Sequence, residues 1–173
     1  MTEQETKRIV LYPEAVLRRR AAAVGTIDDS IRVLVAEMFR VMREDEGAGL
    51  AAPQVGESLR LFITEARPEE NEPVGIYINP EIASLEGDQE LMNEGCLSLP
   101  DIRGDIRRHA RVTLAWTDLE GAQHRRTHDG MLARVWLHEF DHLEGVLIID
   151  RMSPLDRLRA RKLLKALERD AGA

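Results

Sequence analysis

The sequence predicts an α+β fold: antiparallel β-sheets packed around a central helix, with one further helix towards each end of the chain. Two observations predict this class. Helical spacing of apolar residues occurs once in the first quarter of the chain and twice in the last quarter. Between them lie short segments rich in β-branched and aromatic residues. Turn residues rather than helices separate these segments, and strands joined in that way pair antiparallel.

The first predicted helix covers residues 31–43. Its apolar residues recur every three or four positions, which places them on one face. A side chain from residues 28–30 can cap its N-terminus, and Gly47-Ala48-Gly49 ends the helical pattern and opens a loop. The apolar face consists of Ile31, Leu34, Val35, Met38, Phe39 and Met42.

Four strands are predicted after this helix. They cover residues 59–64, 75–78, 111–116 and 122–128, where β-branched and aromatic residues partly alternate with polar ones. Asp118-Leu119-Glu120-Gly121 is typical of a turn and would join the last two strands.

Two helices are predicted in the last part of the chain. The first covers residues 130–143 and stops before Gly145, a residue type suited to a left-handed C-terminal cap. The second begins at Ser153-Pro154, where the serine can cap and the proline suits the first helical turn.

Length and charge predict a single domain over residues 1–173 and exclude several classes of protein. Lys and Arg number 24 and Asp and Glu 31, and this net charge of −7 argues against a dedicated nucleic-acid-binding protein, including one that binds specific DNA. One cysteine cannot form an internal disulfide. The polar start is unlike a signal peptide, and no segment approaches the roughly 18 apolar residues of a membrane helix. We therefore expect a cytoplasmic protein without a membrane partner.

His138-Glu139-Phe140-Asp141-His142 is the most informative segment of the chain. On a helix, His138 and His142 lie one turn apart on the same face, so both imidazoles can bind one metal ion. Glu139 lies beside that face and can accept a proton from a water molecule on the ion. The segment therefore predicts that the central helix is a metal-binding HExxH helix. Asp141 either pairs with a nearby arginine, Arg107 or Arg108, or lies in solvent.

A catalytic metal site needs a third protein ligand besides two histidines. Zinc peptidases of the elongated motif place a third histidine six residues after the second, but that position is Ile148 here. Glu168 is a poor candidate because it lies beyond most of the last helix. Cys96 is the better candidate, since Gly95 frees the backbone directly before the thiol. Its alternative role is that of a small buried packing residue.

A third segment combines small residues with one amide donor. In Gly47-Ala48-Gly49-Leu50-Ala51-Ala52-Pro53-Gln54, the glycines let a backbone approach a ligand, and Gln54 supplies a side-chain NH₂ group. Alone, this pattern predicts only a loop of small residues.

Taken together, the three segments resemble those of the peptide deformylase family. They stand here as the segment 47–54 just described, Glu94-Gly95-Cys96-Leu97-Ser98, and His138-Glu139-Phe140-Asp141-His142-Leu143-Glu144-Gly145, in the family's order and spacing. The resemblance extends over almost the whole chain. It implies an enzyme that hydrolyses the formyl group from the N-terminal formylmethionine of nascent polypeptides.

The resemblance also implies roles for particular residues. Cys96, His138 and His142 would hold a divalent ion, normally Fe²⁺, which Zn²⁺, Ni²⁺ or Co²⁺ can replace. Glu139 would be the general base and then the acid that protonates the leaving amine. Gln54 and the backbone N–H of Leu97 correspond to donors for the oxyanion. The substrate-binding residues would be Gly47, Ala48, Gly49, Leu50, Met92, Glu94, Gly95, Arg103, Met131, Arg134 and Val135.

Two positions depart from the family's pattern. Leu137 stands where glutamine is common. Arg134 stands one turn before His138, where an apolar residue normally lines the pocket for the methionine side chain. We expect the stem of Arg134 to cover the pocket wall while its charged head reaches water. In the alternative, Arg134 narrows or recharges the pocket, and the enzyme prefers a shorter or acidic first side chain.

Two other functions remain open. One is a metallopeptidase of another HExxH family, against which the lack of a suitable ligand after His142 counts. The other is a catalytically silent, deformylase-like binding protein, which would be expected to have lost Cys96, Gln54 or Glu139. All three of these residues are present, and no suitable ligand follows His142, so the active deformylase is favoured.

The last predicted helix suggests a further partner. Residues 151–169 contain seven basic and two acidic residues, a net charge of +5 in a chain of −7. This asymmetry suits contact with the phosphates of ribosomal RNA, and the resemblance implies docking on the ribosome through this helix. A solvated helix face is the alternative.

Overall fold

The computed structural model describes residues 6–65 and 74–172 and confirms the α+β class. The helices are α1 (Asp29–Glu44), α2 (Gly130–Leu143), α3 (Ile148–Arg151) and α4 (Pro154–Ala171). The strands are β1 (Gly49–Ala51), β2 (Leu61–Thr64), β3 (Gly75–Cys96), β4 (Leu99–Thr117) and β5 (Gln123–Asp129). Two 3₁₀ turns cover Ala15–Arg18 and Ala52–Val55.

The five strands form one antiparallel sheet in the order β1-β2-β3-β4-β5. β3 and β4 make a long hairpin whose last pair is Cys96 opposite Leu99, so its turn consists of Leu97 and Ser98. Irregular pairing interrupts the hairpin at several points, and such bulges bend a strand pair. Cys96, at the end of the hairpin, packs against the cluster that contains Ile148 and Ile149 of α3.

α1 forms where the apolar spacing predicts it and covers one side of the sheet. Asp28 caps the helix, because its carboxylate accepts hydrogen bonds from the backbone N–H groups of Ser30 and Ile31. Most of the predicted apolar face is buried, with Phe39 only partly covered. This face packs against Leu50, Leu61 and other buried residues of β1 and β2.

α2 passes across the sheet and positions the His-Glu-x-x-His segment. Trp136 is buried and contacts the aromatic rings of Tyr77 and Trp116 edge-on. Gly145 follows the helix with φ +72°, as its residue type predicts, and a Cβ there would lie 2.5 Å from the carbonyl oxygen of Arg18. The helix axis is therefore fixed by aromatic packing in its middle and by close backbone approach at its end.

α4 begins at the predicted serine cap and lies at the edge of the molecule. The hydroxyl of Ser153 accepts a hydrogen bond from the backbone N–H of Asp156. Ala160 is its one buried residue within the described part of the chain, and Leu164 and Leu167 add partly buried contacts. No helix in the parts described, 6–65 and 74–172, is long and apolar enough to span a membrane.

The strands differ most from the sequence-based prediction. β3 has 22 residues where four were expected, and β4 has 19 where six were expected. The extension of β3 beyond residue 78 was not predicted because it contains Pro80, which is unusual within a strand. The residues that follow Pro80 are mostly exposed and polar, so they show no alternation of buried and exposed positions. β1 lies in the segment expected to be a loop, and the short helix α3 was not expected.

Candidate metal centre and active site

Three side chains from two elements converge on one point. Cys96 comes from the end of β3, and His138 and His142 come from successive turns of α2. The Cys96 Sγ lies 3.4 Å from His142 Nε2, which lies 3.3 Å from His138 Nε2. All three atoms are within 4.8 Å of one another. Within the described residues this is the one cluster of such groups able to hold a metal ion.

The spacing of these atoms fits a metal ion. In tetrahedral coordination at about 2.0–2.1 Å from the ion, two nitrogen ligands lie about 3.3–3.4 Å apart. The two Nε2 atoms are 3.3 Å apart. The other ring nitrogen of His138, Nδ1, lies 3.0 Å from the Glu94 carboxylate, which leaves Nε2 directed at the centre. The donor set therefore suits a borderline or soft divalent ion.

Burial and neighbouring charges perturb both histidines. Burial, followed by the nearby His138 and Arg108, holds the pKa of His142 well below its usual range, which favours the neutral form that binds metals. Burial also acts to lower the pKa of His138, but hydrogen bonds to Cys96 and Glu94 outweigh it and raise that pKa. A bound cation would compete with the proton on His138.

Glu139 lies beside the three ligand atoms and is almost fully buried. Burial raises the pKa of its carboxyl group to about 7. Its Oε2 atom has no hydrogen-bond partner among the described residues. On the other side it contacts the backbone of β1, since a Cβ on Gly49 would lie 2.6 Å from Glu139 Oε1. Glu139 is thus a carboxylate with one free oxygen and a pKa suited to proton transfer near neutrality.

Gln54 directs its amide group at the same centre. The Oε1 atom accepts a hydrogen bond from the backbone N–H of Ala51 at 3.0 Å, which fixes the orientation of the amide. The Nε2 atom lies 3.3 Å from Ser98 Oγ and 3.6 Å from Cys96 Sγ. Because Gln54 is 2% exposed, this donor is held in a site largely shielded from water.

A buried network of charges supports the histidines. The Glu94 carboxylate accepts hydrogen bonds from Arg108 and Arg134 as well as facing His138. Burial acts to raise the pKa of Glu94, but the bonds from His138 and Arg108 lower it far below its usual range. Arg108 also donates to Asp141 at 2.8 Å, which is one of the two pairings expected for Asp141. Arg151 binds the same carboxylate from the far side.

A cavity of about 620 Å³ opens onto these groups. Most of the expected site residues line it, whereas His142 and Leu50 do not. Seven further residues, which the sequence did not predict, also line it, and all are chain neighbours of the three segments or of Arg103. The expected residues that line the cavity are Gly47, Ala48, Gly49, Gln54, Met92, Glu94, Gly95, Cys96, Leu97, Arg103, Met131, Arg134, Val135, His138 and Glu139. The missed ones are Asp45, Glu46, Asn93, Leu99, Pro100, Asp101 and Ile102.

The structure places Leu50 and Glu94 away from solvent and corrects one expectation about Arg134. The side chain of Leu50 is buried in the core against α1, because alternation along β1 turns it away from the cavity. Glu94 lines the cavity, but its carboxylate is 6% exposed and both of its oxygens are bonded to protein donors, one of them facing His138. The head of Arg134 does not reach water: the side chain is 6% exposed, because Glu94 and two backbone carbonyl groups bind the guanidinium inside the protein.

Comparison with known sequences gives one consistent family. The family model described as polypeptide deformylase matches residues 6–158. A peptide deformylase from Thermotoga petrophila is 43% identical over 162 residues, which cover 94% of this chain and 96% of the relative. One from Pelodictyon phaeoclathratiforme is 42% identical and covers 92% of this chain and 86% of the relative.

Solved structures agree with the sequence comparison. A peptide deformylase from Plasmodium falciparum matches with a TM-score of 0.89 and 39% identity, covering 94% of this chain and 95% of that one. A peptide deformylase from Synechococcus elongatus in complex with actinonin matches with a TM-score of 0.85 and 36% identity, covering 94% and 86%. The chain therefore belongs to the polypeptide deformylase family of metal-dependent hydrolases.

Proposed function

We propose that the protein hydrolyses the formyl group from the N-terminal formylmethionine of nascent polypeptides. One observation carries this proposal: Glu139 and the amide of Gln54 both lie beside the converging atoms of Cys96, His138 and His142, at the end of an open cavity. A proton acceptor, an oxyanion donor and a set of metal ligands are the groups that metal-assisted amide hydrolysis requires.

Cys96, His138 and His142 would hold the metal. We propose Fe²⁺ as the resident ion, with Zn²⁺, Ni²⁺ or Co²⁺ as possible replacements, because one thiolate and two imidazoles suit borderline divalent ions. When bound, such an ion lowers the pKa of water and polarises the formyl oxygen.

Glu139 would move the proton. As the water oxygen attacks the formyl carbon, the free Oε2 of Glu139 accepts the proton that the water loses. When the carbon–nitrogen bond breaks, Glu139 returns that proton to the departing amine nitrogen. The products are formate and a peptide with a free N-terminal amine. The burial of Glu139 against Gly49 keeps bulk water away from the carboxylate.

Gln54 and Leu97 would stabilise the charge that develops on the formyl oxygen. The Gln54 amide is fixed by its bond from Ala51, so its Nε2 is already oriented before substrate binds. Leu97 lies in the hairpin turn directly after Cys96, so its backbone N–H is close to the same centre. Loss of one such donor typically lowers the rate by about 10²–10³-fold.

The peptide would bind in an extended conformation beside β1. β1 is the edge of the sheet, and Gly49 on β1 and Gly95 on β3 both line the cavity. Addition of a strand at an open edge uses only backbone hydrogen bonds, so it accepts many sequences. The first side chain would enter the apolar part of the cavity lined by Met92, Met131 and Val135.

We also propose that α4 contacts the ribosome in the cytoplasm, where the nascent substrates emerge. Its basic side chains are exposed along the helix, whereas its contacts with the core are few. Reversal of three exposed charges, Arg159→Glu, Lys162→Glu and Lys165→Glu, should reduce co-sedimentation with ribosomes and leave packing intact. Unchanged co-sedimentation would exclude this contact. The matched control is Arg32→Glu on α1.

Replacement of Glu139 by Gln tests the proposed chemistry. Protein loaded with Fe²⁺ without oxygen should release formate from a formyl-Met peptide, and Glu139→Gln should lower the rate at least about 10²-fold while binding one equivalent of metal. Glu144→Gln, just past the end of the same helix, is the control and should keep wild-type activity. A Glu139→Gln protein as active as the wild type contradicts the mechanism. No formate release from loaded wild-type protein contradicts the function.

A further inference from the structure

We infer that Arg134 is a positioning residue for the metal centre, which acts through Glu94 on the imidazole of His138, and that it does not select the first side chain of the substrate. The inference rests on the proposed function for the chemistry of the site. The main test of the inference is the affinity of the protein for a metal ion, which is measured without any substrate and so does not depend on deformylase activity.

Four contacts hold the carboxylate of Glu94. Its Oε1 accepts from Arg108 Nε at 2.7 Å and from Arg134 Nη1 at 3.0 Å. Its Oε2 accepts from Arg108 Nη2 at 2.9 Å and faces His138 Nδ1 at 3.0 Å. Each oxygen thus has two partners, which fix the plane of the carboxylate. Because a ligating histidine is oriented by the group on its other nitrogen, fixing Glu94 fixes the direction of His138 Nε2.

Arg134 also binds the backbone of both strands of the β3–β4 hairpin. Its Nη1 donates to the carbonyl oxygen of Ile106 on β4, and its Nη2 to that of Glu90 on β3, each at 2.8 Å. One guanidinium therefore ties α2 to both strands of the hairpin. Cys96 lies six residues after Glu90 on β3, and His138 lies one turn after Arg134 on α2. Arg134 thus joins the elements that carry the thiol and the imidazole.

The same contacts argue against a role in side-chain selection. The guanidinium is buried and donates to three protein oxygens, one of them on a carboxylate. An acidic side chain of a substrate would therefore meet a cation that is already neutralised by Glu94. Arg134 lines the cavity with Met131 and Val135, while its guanidinium is held by these three oxygens.

If Arg134 is removed, a positioning role and a purely electrostatic role predict opposite changes in metal affinity. Arg134 is a cation close to a site for a cation, so its removal would strengthen metal binding by Coulomb's law alone. Loss of positioning predicts the opposite, because Glu94 and the hairpin are then less firmly held. Weaker metal binding after Arg134→Met would therefore show that Arg134 acts by positioning the metal ligands and not through its charge.

Titration of the metal-free protein with Co²⁺ tests the inference. Arg134→Met should raise the dissociation constant about tenfold and change the visible absorption spectrum of bound Co²⁺, since outer groups that orient a ligand are worth about 10–100-fold in metal affinity. The matched control is Arg60→Met. Arg60 also binds a carboxylate of the α2 region, Glu144, at 2.6 Å and lies over the ring of Phe140, but it does not touch Glu94. The Co²⁺ affinity of the Arg60→Met variant should stay within about twofold of the wild-type value.

A double-mutant cycle shows whether the effect passes through Glu94. In a Glu94→Gln background, Arg134→Met should have much less effect on Co²⁺ affinity, because residues of one network are not additive. If Arg134→Met does not fold, as judged by circular dichroism, Arg134→Lys replaces it and should show a smaller loss in the same direction.

Three results would overturn the inference. One is wild-type Co²⁺ affinity in the folded variant, and another is a full additional loss in the Glu94→Gln background. The third is a changed ratio of kcat/KM between formyl-Met and formyl-Ala peptides. Failure of the wild-type protein to deformylate any peptide would contradict the proposed function but leave the comparison of metal affinities valid.

Discussion

Gly49 shows how the absence of one side chain shapes the catalytic site. A Cβ at this position would lie 2.6 Å from Glu139 Oε1 and 2.8 Å from Val135 Cγ1. Both distances are far below normal contact, and neither the helix backbone nor the sheet edge can retreat without disturbing the core. The carboxylate of Glu139 therefore occupies space that is available only beside a glycine.

Substitution Gly49→Ala should displace Glu139 and leave the metal ligands in place. We expect kcat on a formyl-Met peptide to fall about 10²-fold, because a displacement of about 1 Å at a catalytic group has effects of this size. Bound metal should stay near one equivalent. The control is Gly25→Ala, since a Cβ there meets nothing within 4 Å. Wild-type kcat in Gly49→Ala would contradict this account of Glu139.

The helices were more predictable than the strands because their burial is more regular. α1 buries one face, so its apolar residues recur with the helical period, whereas α2 is buried or half-buried on all sides from residue 132 onward. The predicted bounds of both helices differ from the observed ones by at most two residues. In β3, most residues from 83 to 91 are exposed on both faces, and such a strand has no alternation to detect. In β4 the signal existed: Ile102 and Ile106 are buried while Arg103 and Arg107 are exposed, which is strand alternation.

The candidate site was largely predictable from the spacing of the histidines and from the two other segments. The roles of Glu94 and Arg134 were not, because their partners are far away in the chain. Arg134 bonds to Glu94 and Ile106, 40 and 28 residues away, and the pairing depends on how α2 lies against the hairpin. A buried arginine has no sequence signal that distinguishes it from a solvated one.

At the level of single elements, α4 should depend on its cap more than the other helices do. α4 has few buried residues, so the hydrogen bond from the Asp156 N–H to the Ser153 hydroxyl contributes a larger part of the stability of its first turn. Ser153→Ala should lower the free energy of unfolding by about 1 kcal/mol without changing metal affinity. Thermal unfolding measures the first and Co²⁺ titration the second. Ser84→Ala is the control, and equal unfolding of both variants would contradict the prediction.

For the molecule as a whole, the metal centre connects two parts of the core. Cys96 belongs to the cluster that includes Leu99, Ile102 and Ile106, whereas α2 belongs to the cluster around Trp136 and Phe62. A metal bound by Cys96, His138 and His142 would add a bond between these clusters. The folded state alone brings the three ligands together, so metal binding should stabilise it.

Removal of the metal should therefore lower the stability of the entire fold. At a free ion concentration 100 times the dissociation constant, the expected loss on chelation is about 2.7 kcal/mol. Thermal unfolding with and without a chelator measures it. Cys96→Ala should bind metal much more weakly and show little response to the chelator. A chelator-insensitive Tm in wild-type protein of known metal content would contradict this prediction.

The open edge of the sheet at β1 also bears on solubility. An unpaired edge is a template on which another copy of the same chain can pair, and repeated pairing leads to aggregation. β1 is three residues long, Leu50 and Ala51 are fully buried, and the 3₁₀ turn Ala52–Val55 follows it at once. Because this edge strand is so short, it offers few backbone groups to the edge strand of a second folded molecule. A strand of three residues that ends directly in a 3₁₀ turn thus limits edge-to-edge pairing between copies of the protein.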